Sequence, residues 1–152
     1  MEKNNSLNGI NTARMAETVD ALKKQPALAH FEFRTKNRWI TGGTNQSTID
    51  GFYGAGREDD SRRQPFILIN GEPPVLLGNN EGANPVEYLL HALAGCVTST
   101  LVLQASARGI HINEISTELD GDIDLQGFLD LDKSVTPGYK SIRIKMKVKA
   151  DC

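Results

Sequence analysis

Apolar and charged positions alternate with period two along Tyr139–Ala150. Ile142, Ile144, Met146 and Val148 fall on one side, and Arg143, Lys145, Lys147 and Lys149 on the other. That is the signature of a β-strand with one wet face. Residues 110–125 carry a second strand, in which the spacing of Ile112, Ile115, Leu119 and Ile123 departs from two and predicts a bulge near Asn113. Upstream, residues 30–40 and 47–53 read as strands joined through the turn at 41–45, a hairpin. Residues 65–70 make a short apolar strand. Thr12–Lys24 changes period: Met15, Ala16, Val19 and Leu22 form a narrow helical stripe, and Pro26 stops it. The remaining segments read as connections: polar, loose residues 1–11, a charged loop without period at 54–64, a Pro-containing loop at 71–82, and 127–137 with room for one short turn.

The most strongly marked segment is residues 84–109, NPVEYLLHALAGCVTSTLVLQASARG. Asn84 suits an N-cap, Pro85 the first helical position, and Glu87 the carboxylate place of a capping box. Arg108 meets the negative end of the helix dipole, and Gly109 suits the left-handed closing position. No Asp, Glu, Lys or Arg lies between Tyr88 and Ala107. A helix over 85–108 that is apolar on nearly every face asks for burial on all sides. The expectation is an α+β fold, an antiparallel sheet wrapped around a long buried central helix. One sheet covers one flank, so the rest is expected from the Thr12–Lys24 helix, a second subunit or residues absent from this sequence, and an obligate dimer is the physical expectation.

Composition narrows the class without changing this picture. At 152 residues, 39% hydrophobic and 24% charged, the chain reads as one soluble globular domain over 1–152. A net charge of -2 gives no general attraction to nucleic acid or an anionic membrane. The basic stripe of the last strand lacks the interleaved aromatics of a nucleic-acid surface. Two cysteines, Cys96 and Cys152, make neither a disulfide framework nor a compact zinc spacing, and a reducing, cytoplasmic setting fits them. The N-terminus lacks the apolar run of a signal peptide. The Gln, His, Gly and hydroxyl residues of the long helix favour a core helix over a membrane span.

Candidate chemistry centres on Cys96 in the middle of that helix. Positions 92, 93, 99 and 100, one turn away, are Ala, Leu, Ser and Thr, so no basic neighbour on the helix activates it. Read from its neighbours alone, it is a small core residue, with Gly95, Ser99 and Thr100 leaving room for a pocket. His91 lies about 140° around the helix from Cys96 and within i,i+4 reach of Glu87. His30 and His111 add no metal-ligand spacing, and neither Gly54–Gly56 nor the acidic run Asp120, Asp122, Asp124 completes a phosphate or calcium loop. No metal or cofactor site is expected.

The run NPVEYLLHALAGCV resembles the cysteine-helix motif of the OsmC/Ohr family of osmotically inducible and organic-hydroperoxide-resistance proteins. The segments FEFRTKNRWITGG, FYGAGREDDSRRQPFILINGEPPVLLG and GDIDLQGFLDLDKSVTPGYKSIRIKMKVKADC extend the likeness over about residues 7–152. The resemblance implies an intertwined homodimer and a peroxidatic Cys96 that is reset by a dithiol such as a lipoyl protein. Where organic-hydroperoxide members place a glutamate ten residues before the cysteine, this chain has Val86, with Glu87 beside it. At the position of their activating arginine it has Thr44, with Arg38 the nearest replacement and Arg34 behind it. The expected site is therefore Cys96 assisted by Arg38 and Glu87 across the subunit interface. The family's resolving cysteine belongs to a helix beyond the last strand, so that role does not fall to Cys152. The alternative is a non-catalytic relative that holds a small hydrophobic or thiol ligand in the dimer cleft.

Overall fold

A computed structural model of the protein describes residues 6–151. They form two units, one of Ala13–Tyr88 and one of Met1–Thr12 with Leu89–Cys152 as far as these are described.

In the second unit, residues 6–11 of the 1–11 stretch expected to be loose form strands and a turn, while residues 1–5 lie outside the described residues. Strands β1 (Ser6–Leu7) and β2 (Ile10–Asn11) pair antiparallel around Asn8-Gly9. Both turn residues have positive φ, 52° and 78°, as tight hairpins with the twist of their strands require. The Asn8 carboxamide donates to the Ile110 carbonyl at 2.9 Å and to Ser106 Oγ at 3.1 Å, and accepts from the Ile112 N–H at 2.8 Å. The hairpin is thus fastened to residues about a hundred positions along the chain.

The long helix, α2, runs Pro85–Ala107. Its end signals work as their chemistry dictates. Asn84 Oδ1 accepts the Val86 N–H at 2.9 Å while Glu87 Oε2 accepts the Asn84 N–H at 2.8 Å, a reciprocal capping box. At the other end Ile110 N–H reaches the Ala105 carbonyl at 3.0 Å and Gly109 N–H the Ser106 carbonyl at 3.2 Å, with Gly109 at φ 73°. These are the paired bonds of a Schellman closure. Arg108 donates to the Gln104 carbonyl in the last turn.

Strands β8 (Ile112–Ile123) and β9 (Tyr139–Ala150) form a long antiparallel hairpin, joined through the one-turn helix α3 (Leu125–Phe128). The register shifts between Ile112 and Glu114, which leaves the predicted bulge at Asn113. The two wet faces are complementary in sign. Arg143 pairs with Asp120 and, at 2.6 Å, with Asp122; Lys145 faces Glu118 at 3.6 Å, and Lys149 pairs with Glu114. The Arg143 hydrogen bond, then that from Ser141, lowers the Asp122 pKa to about 2. On the opposite face Gly121 admits the Tyr139 ring: a Cβ at position 121 would lie 2.6 Å from its edge. A hydroxyl pair, Thr98 and Thr117 at 2.8 Å, ties α2 to β8.

In the first unit, α1 occupies Thr12–Lys24 as the stripe predicts, apart from Thr12 itself, which falls in the other unit. Strands β3 (Lys36–Thr41), β4 (Thr44–Ile49) and β7 (Phe66–Asn70) form an antiparallel sheet in the order β3-β4-β7. The hairpin expected at 41–45 is present, with Thr41 opposite Thr44. The strand expected at 30–40 begins only at Lys36. Residues 54–64, expected to be loop, contain half of a second hairpin, β5 (Phe52–Gly54) with β6 (Arg57–Asp59), turned at Ala55 and Gly56 with φ 51° and 81°.

The expectation of a sheet wrapped around a buried central helix is overturned. Among the described residues the strands make four separate sheets of two or three strands each. Of α2 only Ala105 and Ser106 are buried, while Leu89 is 56% and Leu103 42% exposed. The physical reason is geometric. The partly covered positions Leu90, Leu93, Ala94, Val97, Thr98, Leu101 and Val102 recur every three or four residues and form one stripe, which is all that a single packed face covers. The rest of the apolar surface stays open.

Candidate functional site

Cys96 belongs to that open side. Leu89, Ala92, Cys96, Ser99, Thr100, Leu103 and Ala107 are all exposed and recur at helical spacing on one face. The reading of Cys96 as a small core residue is therefore corrected: it sits at the middle of an exposed apolar stripe. Gly95 beside it meets no atom within 4 Å of where its Cβ would lie, which leaves the backbone open there. The neighbouring hydroxyl is already engaged. Ser99 Oγ donates to the Gly95 carbonyl at 2.6 Å, with the Cys96 carbonyl at 3.3 Å, the back-bonding habit of serine inside a helix. Its single proton is thus directed at the backbone rather than at sulfur.

Arg38 and Glu87 lie in the other unit from Cys96, and each has a local partner. Arg38 is exposed on β3, where its guanidinium donates to Gln46 Oε1 across the hairpin at 3.1 Å. Glu87 turns its carboxylate back to the Asn84 N–H and so closes the start of α2. Val86 and Glu87 also border a cavity of about 240 Å³ with Pro73, Asn80, Gly82 and Asn84. Thr44 is buried at the turn end of β4. Cys152 lies outside the described residues.

A second cavity, of about 330 Å³, is lined by Arg34, Thr35, Lys36, Thr48, Asp50 and Gly51. Arg34 is held there by Glu58, its Nη1 3.3 Å from Oε1, with Glu32 at 4.0 Å. That hydrogen bond to Glu58, and the negative charges of Glu58 and Glu32, raise the arginine's pKa further above its ordinary value. Next to it Phe31, Phe33 and Phe52 stack, and the Arg62 guanidinium lies over the rings of Phe52 and Phe66 at 5.4 and 5.3 Å. The members of this cluster come from three separate segments, so no local pattern in the sequence marks it. Among the described residues no group of His, Cys, Asp and Glu is placed to hold a metal ion.

Residues 78–151 match the protein family described as OsmC-like protein, a span that begins just before α2 and contains Cys96 and the β8–β9 hairpin. No curated protein matches the chain.

Proposed function

We propose that the protein is a thiol-dependent peroxidase that reduces organic or hydrogen peroxides at Cys96, working as a homodimer in a reducing cytoplasm. The observation that carries this reading is the exposure of Cys96 in the OsmC-like part of the chain, on a face made of small and apolar side chains. Such a surface admits a hydrophobic peroxide, and the thiol is free of competing side-chain chemistry on its own helix. The open stripe is also a surface for a second copy of the chain to border.

The chemistry balances with a dithiol as the only co-reactant. The Cys96 thiolate attacks one peroxide oxygen; the S–O bond forms as the O–O bond breaks. The departing oxygen takes a proton and leaves as an alcohol, or as water from hydrogen peroxide, and sulfur is oxidised to the sulfenic acid. One thiol of the reductant, a dithiol such as a lipoyl protein, condenses with that acid and releases water. Its second thiol displaces Cys96 from the mixed disulfide and restores the starting state. In this reaction Arg38 is the cation that stabilises the thiolate, with Glu87 supporting it, across the interface between copies.

The test is turnover of cumene hydroperoxide with dihydrolipoamide by the parent protein and by the Cys96→Ser and Cys152→Ser variants. Cys96→Ser is expected to abolish turnover, and Cys152→Ser to leave most of it. Equal turnover in the parent and Cys96→Ser removes Cys96 as the nucleophile. No turnover in the parent, with saturable binding of a hydrophobic thiol, favours the non-catalytic ligand-binding reading, to which exposed Leu89 and Leu103 would contribute.

A further inference from the structure

We propose that Asn8-Gly9 is a conditional deamidation site, silent while the N-terminal hairpin is fastened and reactive once it opens. An asparagine followed by glycine is chemically the most susceptible pair, because no side chain obstructs the following amide. The backbone nitrogen of Gly9, its proton lost to solvent base, attacks the Asn8 carboxamide carbon. A C–N bond forms and ammonia leaves, having taken a proton, which gives a cyclic imide. Water opens the imide at either carbonyl, and position 8 becomes aspartyl or isoaspartyl.

The folded structure opposes the first step. Attack requires the carboxamide to swing onto the Gly9 nitrogen, yet all three of its hydrogen bonds hold it elsewhere: on the Ile110 carbonyl, Ser106 Oγ and the Ile112 N–H. Ser106 is itself 3% exposed, and its Oγ also contacts the Leu7 and Val102 carbonyls at 3.2 and 2.8 Å, so the anchor is buried and held on both sides. Loss of ammonia makes the reaction one-way, and the same contacts reject its product. A carboxylate at position 8 has no N–H for the Ile110 carbonyl and would face that oxygen with negative charge, so the hairpin cannot refasten as before. The chain then carries a permanent record of having opened at its N-terminal hairpin.

Asn70-Gly71 is a built-in comparison. Asn70 is buried at the end of β7, and the Gly71 N–H is spent on the Ala83 carbonyl at 3.2 Å. The full-length protein is incubated at mildly alkaline pH in native buffer and in concentrated urea, and amide loss at both sites is followed by peptide mapping with mass spectrometry. In urea both sites are expected to react at similar rates. In native buffer Asn8 is expected to react roughly a hundredfold more slowly than in urea, the opening penalty of three net hydrogen bonds. Ser106→Ala should raise the native rate at Asn8 and leave the urea rate unchanged. Asn8→Asp, which mimics the product, should melt below the parent. Equal native and urea rates at Asn8, a native rate unmoved in folded Ser106→Ala, or Asn8→Asp melting at or above the parent would overturn the proposal.

Discussion

Replacing Asn84 by alanine removes two interactions at the start of the cysteine-bearing helix, and they can be told apart. The side-chain oxygen caps the Val86 N–H at 2.9 Å, and loss of an Asn cap costs about 1 kcal/mol. The side-chain nitrogen donates to the Glu72 carboxylate; both residues are partly exposed, so this bond contributes about 0.5 kcal/mol after solvent screening. The sum, about 1.5 kcal/mol, lowers the melting temperature of a chain this size by about 4 °C. Asn84→Ser keeps a cap and loses only the Glu72 contact, so it should fall by about 1–2 °C. Glu87→Gln keeps an acceptor for the Asn84 N–H and should stay within about 1 °C of the parent. Thermal melts by far-UV circular dichroism, dominated by α2, read all three. Equal losses for alanine and serine, or a loss below about 1 °C for alanine, would refute the capping assignment. If Glu87→Gln melts like the parent yet loses peroxide turnover, the carboxylate has a chemical role beyond its cap.

Two further outcomes follow from the other unit. Gly109→Ala forces a β-carbon into a φ of 73° where nothing crowds it, so its cost is conformational alone, about 1 kcal/mol, read as a lower midpoint in urea. The Asp122 carboxyl should titrate near pH 2 in an NMR pH series, because hydrogen bonds from Arg143 and Ser141 favour its charged form. Its folded pKa lies below the ordinary 3.8, so the stability it contributes is present above about pH 4 and is lost as pH falls towards 2. Arg143→Ala should return the titration towards the ordinary carboxylate range.

What could be read from the sequence was written in local chemistry. Asn84, Pro85 and Glu87 announce a helix start, Gly109 its stop, and the alternation from Tyr139 to Ala150 a strand with a charged face; each lies where it was expected. Asn113 was legible as a bulge because the apolar spacing around it breaks step. The β1–β2 hairpin escaped notice although Asn-Gly is a strong turn signal, since strands of two residues show no period. The β5–β6 turn was hidden by Ala55, which carries no turn preference yet adopts a positive φ of 51°. Burial of α2 failed for a different reason: hydropathy records which side chains tolerate contact and does not say what is there to make it. The site shows the same division. Glu87 was placed correctly as a cap from spacing alone, whereas the exposure of Cys96 depends on which stripe of α2 is covered, and that is set by tertiary packing.

The contact between Gly121 and Tyr139 has a consequence for how β8 and β9 find each other. Sliding one strand past the other by two residues keeps every side chain on its proper face, and acidic β8 still meets basic β9, so charge pairing tolerates the mistake. The tyrosine ring does not. Slipped by two, it would come to rest on Leu119 or Ile123, each with a branched side chain where the ring now has bare backbone. One missing β-carbon thus acts as a notch that only the native alignment can engage. The electrostatic ladder draws the two strands together, and the notch decides where they stop.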